Sequence, residues 1–235
     1  VAAIDQRGIG GSDKTPDSAD GMLLTQDLAA IVRSLGTSRA VVIGQGRGGF
    51  LAWSVAALEP DVVEGVMTVS APHPRTLQRL GTHLTLKTWR QVLKTLIPHY
   101  AAKRLTDEEV LRKLLTDWSA PGNVGASEEA ANYAAALRLP EAASISLEQL
   151  RWSYLSTSKI NGREHMALTR RFVNATVWAV RGERDPLLPA RAWRKDLEFA
   201  RGNYRFIEVP DAGHFVQEEQ PSRVTELVLE FLAQI

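Results

Sequence analysis

Several features are missing from this sequence of 235 residues, and the first of them is cysteine. Without cysteine the chain forms no disulfide, has no thiolate metal ligand and carries no cysteine nucleophile. An excess of charge is missing too, because 28 lysines and arginines stand against 27 aspartates and glutamates, for a net charge of +1. This balance gives no electrostatic reason to expect binding to nucleic acid or to an anionic membrane. We therefore expect a small molecule or a protein as the partner.

Long apolar runs are also missing, since no stretch of the sequence approaches the roughly 18 residues of a membrane-spanning helix. The first residues, VAAIDQRG, are typical of a strand rather than of a signal peptide. We therefore expect a soluble, cytoplasmic protein. Because the sequence enters a predicted buried strand directly at Val1, we also expect further residues upstream in the natural chain.

Short apolar runs alternate with segments of helical periodicity at both ends of the sequence. Before residue 73 this pattern predicts strands at VAAID, RAVVIG and VVEGVMTV, and helices at 18–35 and at GGFLAWSVAALEP. After residue 170 it predicts strands at ATVWAVRG and YRFIEVP, and helices at ARAWRKDLEFAR and QPSRVTELVLEFLAQI. Such alternation is typical of an α/β protein with a mostly parallel sheet covered by helices.

Between these two parts lies a stretch with helical segments and no predicted strand. It covers residues 73–170 and contains TLQRLGTHLTLKTWRQVLKTL, DEEVLRKLLTDWS, EEAANYAAALRL and SLEQLRWSYLS. About a hundred residues are too many for a loop, and without strands they do not extend the sheet. We therefore predict a core made of residues 1–72 and 171–235. Residues 73–170 would be inserted as a lid (cap) over a site or as a purely structural subdomain.

The segment VVIGQGRGGF, residues 41–50, admits three interpretations. Gly44, Gly46 and Gly48 fit the pattern GxNxG, in which the central residue is a nucleophile on a sharp turn between a strand and a helix. The segment also fits GxGxxG through Gly44, Gly46 and Gly49, which is the fingerprint of a dinucleotide-binding turn. In the third interpretation the glycines form a turn without any ligand.

Residues further along the chain bear on this choice. A dinucleotide site needs an acidic residue about 20 positions beyond the glycines, and Thr68, Val69 and Ser70 occupy that place. By contrast, Asp185 in RGERDPLLP and His214 in DAGHFVQEEQP each follow a predicted strand. Their side chains should therefore emerge at the same edge of a parallel sheet. An imidazole held by a carboxylate is a general base for a nucleophile or for water.

The order of nucleophile turn, acid and histidine resembles that of the α/β-hydrolase family. The resemblance covers nearly the whole chain, through IDQRGIGGSD, VVIGQGRGG, VSAPHP, RGERDP and AGHFVQEEQP. These motifs are most similar to those of soluble epoxide hydrolases, with haloalkane dehalogenases as neighbours. The resemblance implies an α/β-hydrolase fold with an inserted helical lid, and epoxide or ester hydrolysis as the ancestral chemistry. We expect no cofactor, and no metal because His83, His99 and His165 show no metal-ligand spacing.

In epoxide hydrolases an aspartate on the turn attacks carbon to form an ester, which a histidine-activated water then hydrolyses. The resemblance puts Gly46 at the position of the nucleophile, Asp185 at that of the acid and His214 at that of the base. The backbone N–H of Arg47 would then contribute to an oxyanion hole. Candidates for the lid tyrosines that protonate the epoxide oxygen are Tyr100, Tyr133 and Tyr154.

The chain departs from the family pattern in two ways. Gly46 has no side chain with which to attack, so we expect an impaired enzyme, or pseudoenzyme. The family's first three strands and its HGxP loop have no counterpart, so VAAID either pairs directly with RAVVIG or belongs to a longer natural chain. Three interpretations of the chain stay open. They are a noncovalent binder of an apolar small molecule beneath the lid, a weak hydrolase in which His214 activates water, and a dinucleotide-binding protein.

Overall fold

The computed structural model describes residues 1–80 and 98–235, except for the side chains of residues 79, 80, 98–100 and 154. Four parallel strands form one sheet in the order β1-β2-β3-β4. Each strand coincides with a predicted apolar run, so the prediction of an α/β protein with a parallel sheet is confirmed. The strands are β1 Ala40–Gln45, β2 Val63–Val69, β3 Thr176–Gly182 and β4 Tyr204–Val209.

The prediction that VAAID forms a buried strand is wrong. Residues 1–5 form no strand and all of them are exposed. A strand needs a neighbour with which it exchanges backbone hydrogen bonds, and in the described part of the chain β1 pairs only with β2. The carboxylate of Asp5 instead accepts a hydrogen bond from the N–H of Gly11 at 2.9 Å. Direct pairing of VAAID with RAVVIG is therefore wrong as well.

Helices flank the sheet and fill the interval between β2 and β3. The helix predicted at 18–35 begins later, at Gly21, because the carboxylate of Asp20 caps it by accepting from the N–H of Met22 at 2.8 Å. The described helices are α1 Gly21–Ser34, α2 Arg47–Leu58, α3 Pro74–Leu80, α4 Pro98–Leu105, α5 Glu108–Trp118, α6 Gly125–Glu128, α7 Ala130–Leu137, α8 Ala142–Leu155, α9 Ile160–Leu168, α10 Val216–Glu219 and α11 Pro221–Leu232.

The core lies on both faces of the sheet, because successive side chains of a strand point to opposite faces. Val66 of β2 packs in one cluster with Trp53 of α2. Its neighbour Met67 packs in another cluster with Leu227 and Phe231 of α11. The two clusters hold the strands rigidly, so that the loops at the carboxyl ends of the strands are carried at one edge of the sheet.

The interval between β2 and β3 contains helices only, as far as it is described. Three of the four predicted helical segments are confirmed by α5, by α6 with α7, and by α8. Most of the first segment, TLQRLGTHLTLKTWRQVLKTL, lies outside the described residues. The division of the chain into a core and a lid at residues 73–170 stays a prediction. None of the described helices is both long and apolar enough to cross a lipid bilayer.

The segment ARAWRKDLEFAR differs from its predicted α-helix. It forms a 3₁₀ helix over Ala190–Glu198. A 3₁₀ helix has three residues per turn, so residues three apart share one face. Trp193, Asp196 and Phe199 have this spacing and all three are buried. The tighter helix therefore turns an aspartate as well as two aromatic side chains toward the core.

Candidate active site

Gly46 occupies the turn between β1 and α2, in a backbone conformation that is strained for any residue with a side chain. Its φ is 50° and its ψ is −110°. The N–H of Gly46 donates to the carbonyl oxygen of Val69 at the end of β2 (2.9 Å), and the carbonyl of Gly46 accepts from the N–H of Phe50 (3.0 Å). The turn is thus fixed to the sheet on one side and to α2 on the other.

The other glycines of this turn allow β1 and α2 to approach closely. A Cβ on Gly44 would overlap the backbone of Gly48, and a Cβ on Gly49 would lie 2.5 Å from the Cβ of Ala71. At Gly46, by contrast, no described atom lies within 4 Å of the position that a Cβ would take. The turn therefore requires glycine at positions 44 and 49, whereas a side chain at position 46 would enter open space.

Arg47, the first residue of α2, directs its side chain to the helical interval. Its Nη1 donates to the hydroxyl of Ser153 in α8 at 2.7 Å, and its guanidinium carbon lies 5.2 Å and 5.8 Å from the ring centres of Phe50 and Trp152. Burial lowers the pKa of Arg47, and the nearby carboxylate of Asp20 opposes this shift. The side chain joins α2 to α8, and the oxyanion role of its backbone N–H stays a prediction.

Asp185 lies in the loop that follows β3, with its side chain buried. Its Oδ1 accepts from the N–H of Leu187 at 2.8 Å. The buried guanidinium of Arg181 braces the same loop by donating to the carbonyl oxygens of Glu183 (3.2 Å), Asp185 (3.3 Å) and Leu188 (3.1 Å). These bonds fix the direction of the carboxylate and leave Oδ2 for another partner.

That partner is His214, which follows β4 and the tight turn at Asp211. The Nδ1 atom of His214 lies 3.0 Å from Oδ2 of Asp185, and the His214 side chain is 12% exposed. Since a carboxylate accepts, Nδ1 carries the proton in this bond, and in the neutral form of the ring Nε2 is the atom with the lone pair. Aromatic rings flank the imidazole, with ring centres at 5.7 Å for Trp118 and 5.4 Å for Phe215. The pair therefore has the arrangement of a general base in an apolar setting.

The turn at Gly46 and the histidine loop meet at the same edge of the sheet. The side-chain amide of Gln45 donates to the carbonyl oxygen of His214 at 3.3 Å. Sequence reasoning missed Gln45, Arg181 and Glu219 as contacts of this site. Only their positions in the sequence could have indicated them. Gln45 directly precedes the turn at Gly46, Arg181 stands four residues before Asp185, and Glu219 stands five residues after His214.

The predicted lid tyrosines are described in part. The hydroxyl of Tyr133 in α7 donates to the carboxylate of Glu218 in α10, and the residue is 38% exposed. Burial and the Glu218 carboxylate both raise the pKa of Tyr133. The side chains of Tyr100 and Tyr154 lie outside the described residues. The role of all three as proton donors stays a prediction.

Ser70 follows β2, at the place where a dinucleotide site would need an acidic side chain. Its φ is 52°, in the left-handed region, and its hydroxyl is buried without a hydrogen-bond partner among the described groups. Its N–H donates to the carbonyl oxygen of Val180 in β3 at 2.8 Å. Ser70 thus lies in a tight turn that ends β2, and its N–H holds this turn to β3.

Comparison with known proteins agrees with this geometry. A family model for the alpha/beta hydrolase fold matches residues 1–221. The chain is 28% identical to epoxide hydrolase 3 of Xenopus tropicalis and 27% identical to epoxide hydrolase 4 of Homo sapiens, over 99% of this chain and 64% of each relative. The solved structure of epoxide hydrolase A from Mycobacterium thermoresistibile matches with a TM-score of 0.73 and 23% identity, over 97% of this chain and 81% of that one.

The chain therefore belongs to the α/β-hydrolase fold family, within which it is epoxide-hydrolase-like. It spans 64% of the length of the frog and human relatives. At 23% identity the likeness to the mycobacterial structure shows the fold alone. The family match favours the hydrolase interpretation of the turn at Gly46 over the dinucleotide interpretation.

Proposed function

We propose that this chain is an impaired member of the epoxide-hydrolase lineage, which holds a small apolar molecule beside His214 without forming a covalent bond to it. The observation that carries the proposal is the conformation of Gly46. Its φ of 50° and ψ of −110° are those of a turn that projects a side chain sharply, and the space in front of it is open. Glycine fills this position without supplying a reactive atom.

The chemistry of the remaining groups supports noncovalent binding. An epoxide carbon is attacked by a carboxylate at the turn, and the ester is then hydrolysed by water that the histidine activates. Asp185 and His214, 3.0 Å apart, supply the second step only. Without a nucleophile the first step has no reactant, and loss of a nucleophile removes most of the rate enhancement of such a site, on the order of a millionfold.

Two aromatic rings flank His214 and determine which ligands suit the space beside it. Trp118 and Phe215 are stacked on each other at 6.1 Å and both stand edge-on to the imidazole. Such surroundings favour an apolar body over a charged one. The relatives named as epoxide hydrolases add that a strained, weakly polar ring oxygen is compatible with sites of this lineage.

The proposal is tested with an aryl epoxide such as styrene oxide. The wild-type protein should bind it saturably in ligand-observed NMR, return it unchanged, and show no adduct in intact-mass spectra. Gly46→Asp should form an ester with the epoxide, which rapidly quenched samples show as the added mass of one epoxide at position 46 by peptide mapping before His214 and water hydrolyse it. The matched control is Gly46→Asn, which has the same shape and no carboxylate. A wild-type protein that forms a covalent adduct, or a Gly46→Asp variant that stays inert while folded, would contradict the proposal.

A second candidate function is slow hydrolysis by water that His214 activates. It is favoured by Nε2 of His214, which has no hydrogen-bond partner among the described groups and belongs to a partly exposed ring. A base in this state can remove a proton from water directly. Slow turnover of an activated ester by the wild-type protein that disappears in His214→Ala would support it. Equal turnover in both proteins would exclude it.

A further inference from the structure

A buried carboxylate lies directly behind the histidine loop. Glu219, the last residue of α10, is 6% exposed. Its side chain accepts three hydrogen bonds, all from backbone N–H groups. Oε2 accepts from Gly213 at 2.8 Å and from Ala120 at 2.7 Å, and Oε1 accepts from Phe215 at 3.0 Å. A buried charge is tolerated only when such bonds compensate its desolvation, so this set of contacts is strongly specified.

Two of the three donors stand on either side of His214. Gly213 precedes the imidazole-bearing residue and Phe215 follows it, so one rigid carboxylate holds both ends of this residue's backbone. The direction in which Nδ1 points toward Asp185 depends on the backbone of His214, because the imidazole has only two side-chain torsions. Glu219 thereby constrains the geometry of the 3.0 Å bond without touching the ring.

The third donor comes from the helical interval rather than from the core. Ala120 lies two residues after Trp118, the last residue of α5. The carbonyl oxygen of Trp118 also accepts a hydrogen bond from the N–H of His214 at 2.9 Å. The two segments are in close contact, since a Cβ on Gly213 would lie 2.5 Å from the N atom of Ala120. A carboxylate that served only to cap α10 would need no bond to Ala120.

We propose that Glu219 is a positioning residue for His214, which anchors the histidine loop to residues 118–120 and so couples the base to the helical interval. This role rests on the proposed function, in which the bound molecule lies beside His214. Its consequence is that a movement of α5 displaces the imidazole. The reactive geometry of the base is therefore set from residues 118–120 as well as from Asp185.

The test is an NMR measurement on wild-type protein labelled with 15N-histidine. The Nδ1–H proton of His214, bonded to Asp185, should give a downfield signal in slow exchange, assigned by its loss in His214→Ala. Glu219→Gln keeps the shape of the side chain but presents an amide donor to one N–H group. It should abolish or broaden this signal and speed amide exchange of Gly213 and Phe215 by about tenfold or more.

The matched control is Glu218→Gln, which removes a neighbouring carboxylate that bonds to Tyr133. It should leave the signal and both exchange rates within about twofold of wild type. A sharp, unshifted signal in folded Glu219→Gln overturns the positioning role. If Glu219→Gln does not fold, Glu219→Asp, which keeps the charge and is one methylene shorter, is measured with the same expected loss. Absence of the signal from wild type itself would remove the Asp185–His214 pair, and with it both the proposed function and this role.

Discussion

The Oδ2 atom of Asp185 lies 3.0 Å from Nδ1 of His214, although 29 positions separate the two residues along the chain. They meet because β3 and β4 are parallel neighbours, with Gly182 opposite Val209 at their ends. A Cβ on Gly182 would overlap the carbonyl oxygen of Gly213, so glycine is needed where the two loops cross. The sheet thus brings the two loops to one edge, where Asp185 and His214 come within hydrogen-bond distance.

We expect Asp185→Asn to separate the two halves of the ancestral reaction in a Gly46→Asp background. The ester should form at a similar rate, because the carboxylate introduced at position 46 attacks without help from the histidine. Its hydrolysis should slow by about a thousandfold or more, because an amide does not hold the imidazole in the base tautomer. Intact-mass spectra over time should show the adduct accumulating.

The control for this comparison is Glu183→Gln in the same background. Glu183 lies in the same loop with a half-exposed side chain that pairs loosely with Arg184 at 3.8 Å. Its substitution should leave both rates unchanged. Clearance of the adduct at the same rate in Asp185→Asn and Glu183→Gln would show that Asp185 has no part in hydrolysis.

The glycines of the turn should differ in their cost of substitution. Gly46→Ala places a Cβ in open space at a φ of 50°, so it should lower the free energy of unfolding by about 1–3 kcal/mol through backbone strain alone. Gly44→Ala forces the Cβ into the backbone of Gly48 and should cost more than that or prevent folding. Urea unfolding of both variants checks the order. Equal losses would mean that β1 and α2 are not in contact at this turn.

The strands and the nucleophile turn could be predicted from the sequence because their signals are local. Each of β1 to β4 is a short segment rich in apolar residues, and glycine, proline or a charged residue follows within three positions. Gly44 and Gly49 reflect the close packing of β1 against α2, and Gly46 reflects the positive φ of the turn between them. Asp185 and His214 could be brought together from the sequence because parallel strands end at one edge.

Other features depend on contacts between distant segments and had no local signal. VAAID has the composition of a strand, yet residues 1–5 are exposed and pair with no strand in the described chain. The bond between Glu219 and Ala120 joins residues 99 positions apart. The 3₁₀ helix at Ala190–Glu198 is bonded to a distant segment, since Asp196 accepts a hydrogen bond from the N–H of His73. Propensity carries no information on such pairings.

His165 should make the protein sensitive to acid. Its ring is fully buried, stacked on Phe50 at 5.7 Å and edge-on to Trp152 at 4.9 Å. Burial first and the charge of Arg47 second lower the pKa of His165 to about 4, from an ordinary value of 6.5. Between about pH 6.5 and about pH 4, His165 is therefore protonated in the unfolded chain and neutral in the folded protein. The free energy of unfolding falls as the pH falls through this range.

We expect His165→Phe to remove this loss while keeping an aromatic ring in the cluster. The difference in unfolding free energy between variant and wild type should shift in favour of the variant by about 3 kcal/mol from pH 7.5 to pH 4. Chemical denaturation at a series of pH values measures it. A difference that stays constant over this range would show that His165 is not buried in its neutral form.

Asp196 should give the opposite dependence on pH. It is fully buried, and its Oδ2 accepts from the N–H of His73 at 3.0 Å. Burial raises the pKa of Asp196 to about 8, against bonds from Thr76 and His73 that lower it. The folded protein therefore keeps a proton that the unfolded chain has released. The stability that this proton confers is complete below about pH 4 and is lost as pH rises through about 8.

Asp196→Asn should cancel this loss, because the amide oxygen still accepts from the N–H of His73 and the side chain never ionises. Relative to wild type, the variant should gain about 1.4 kcal/mol of unfolding free energy per pH unit between about pH 4 and pH 8, and nothing further above that. The control is Glu64→Gln, which removes a carboxylate from an exposed position of β2 and should leave the slope unchanged. Parallel stability curves for Asp196→Asn and wild type would show that Asp196 is ionised in the folded protein at neutral pH, and that the contact between His73 and the 3₁₀ helix is held by a charge.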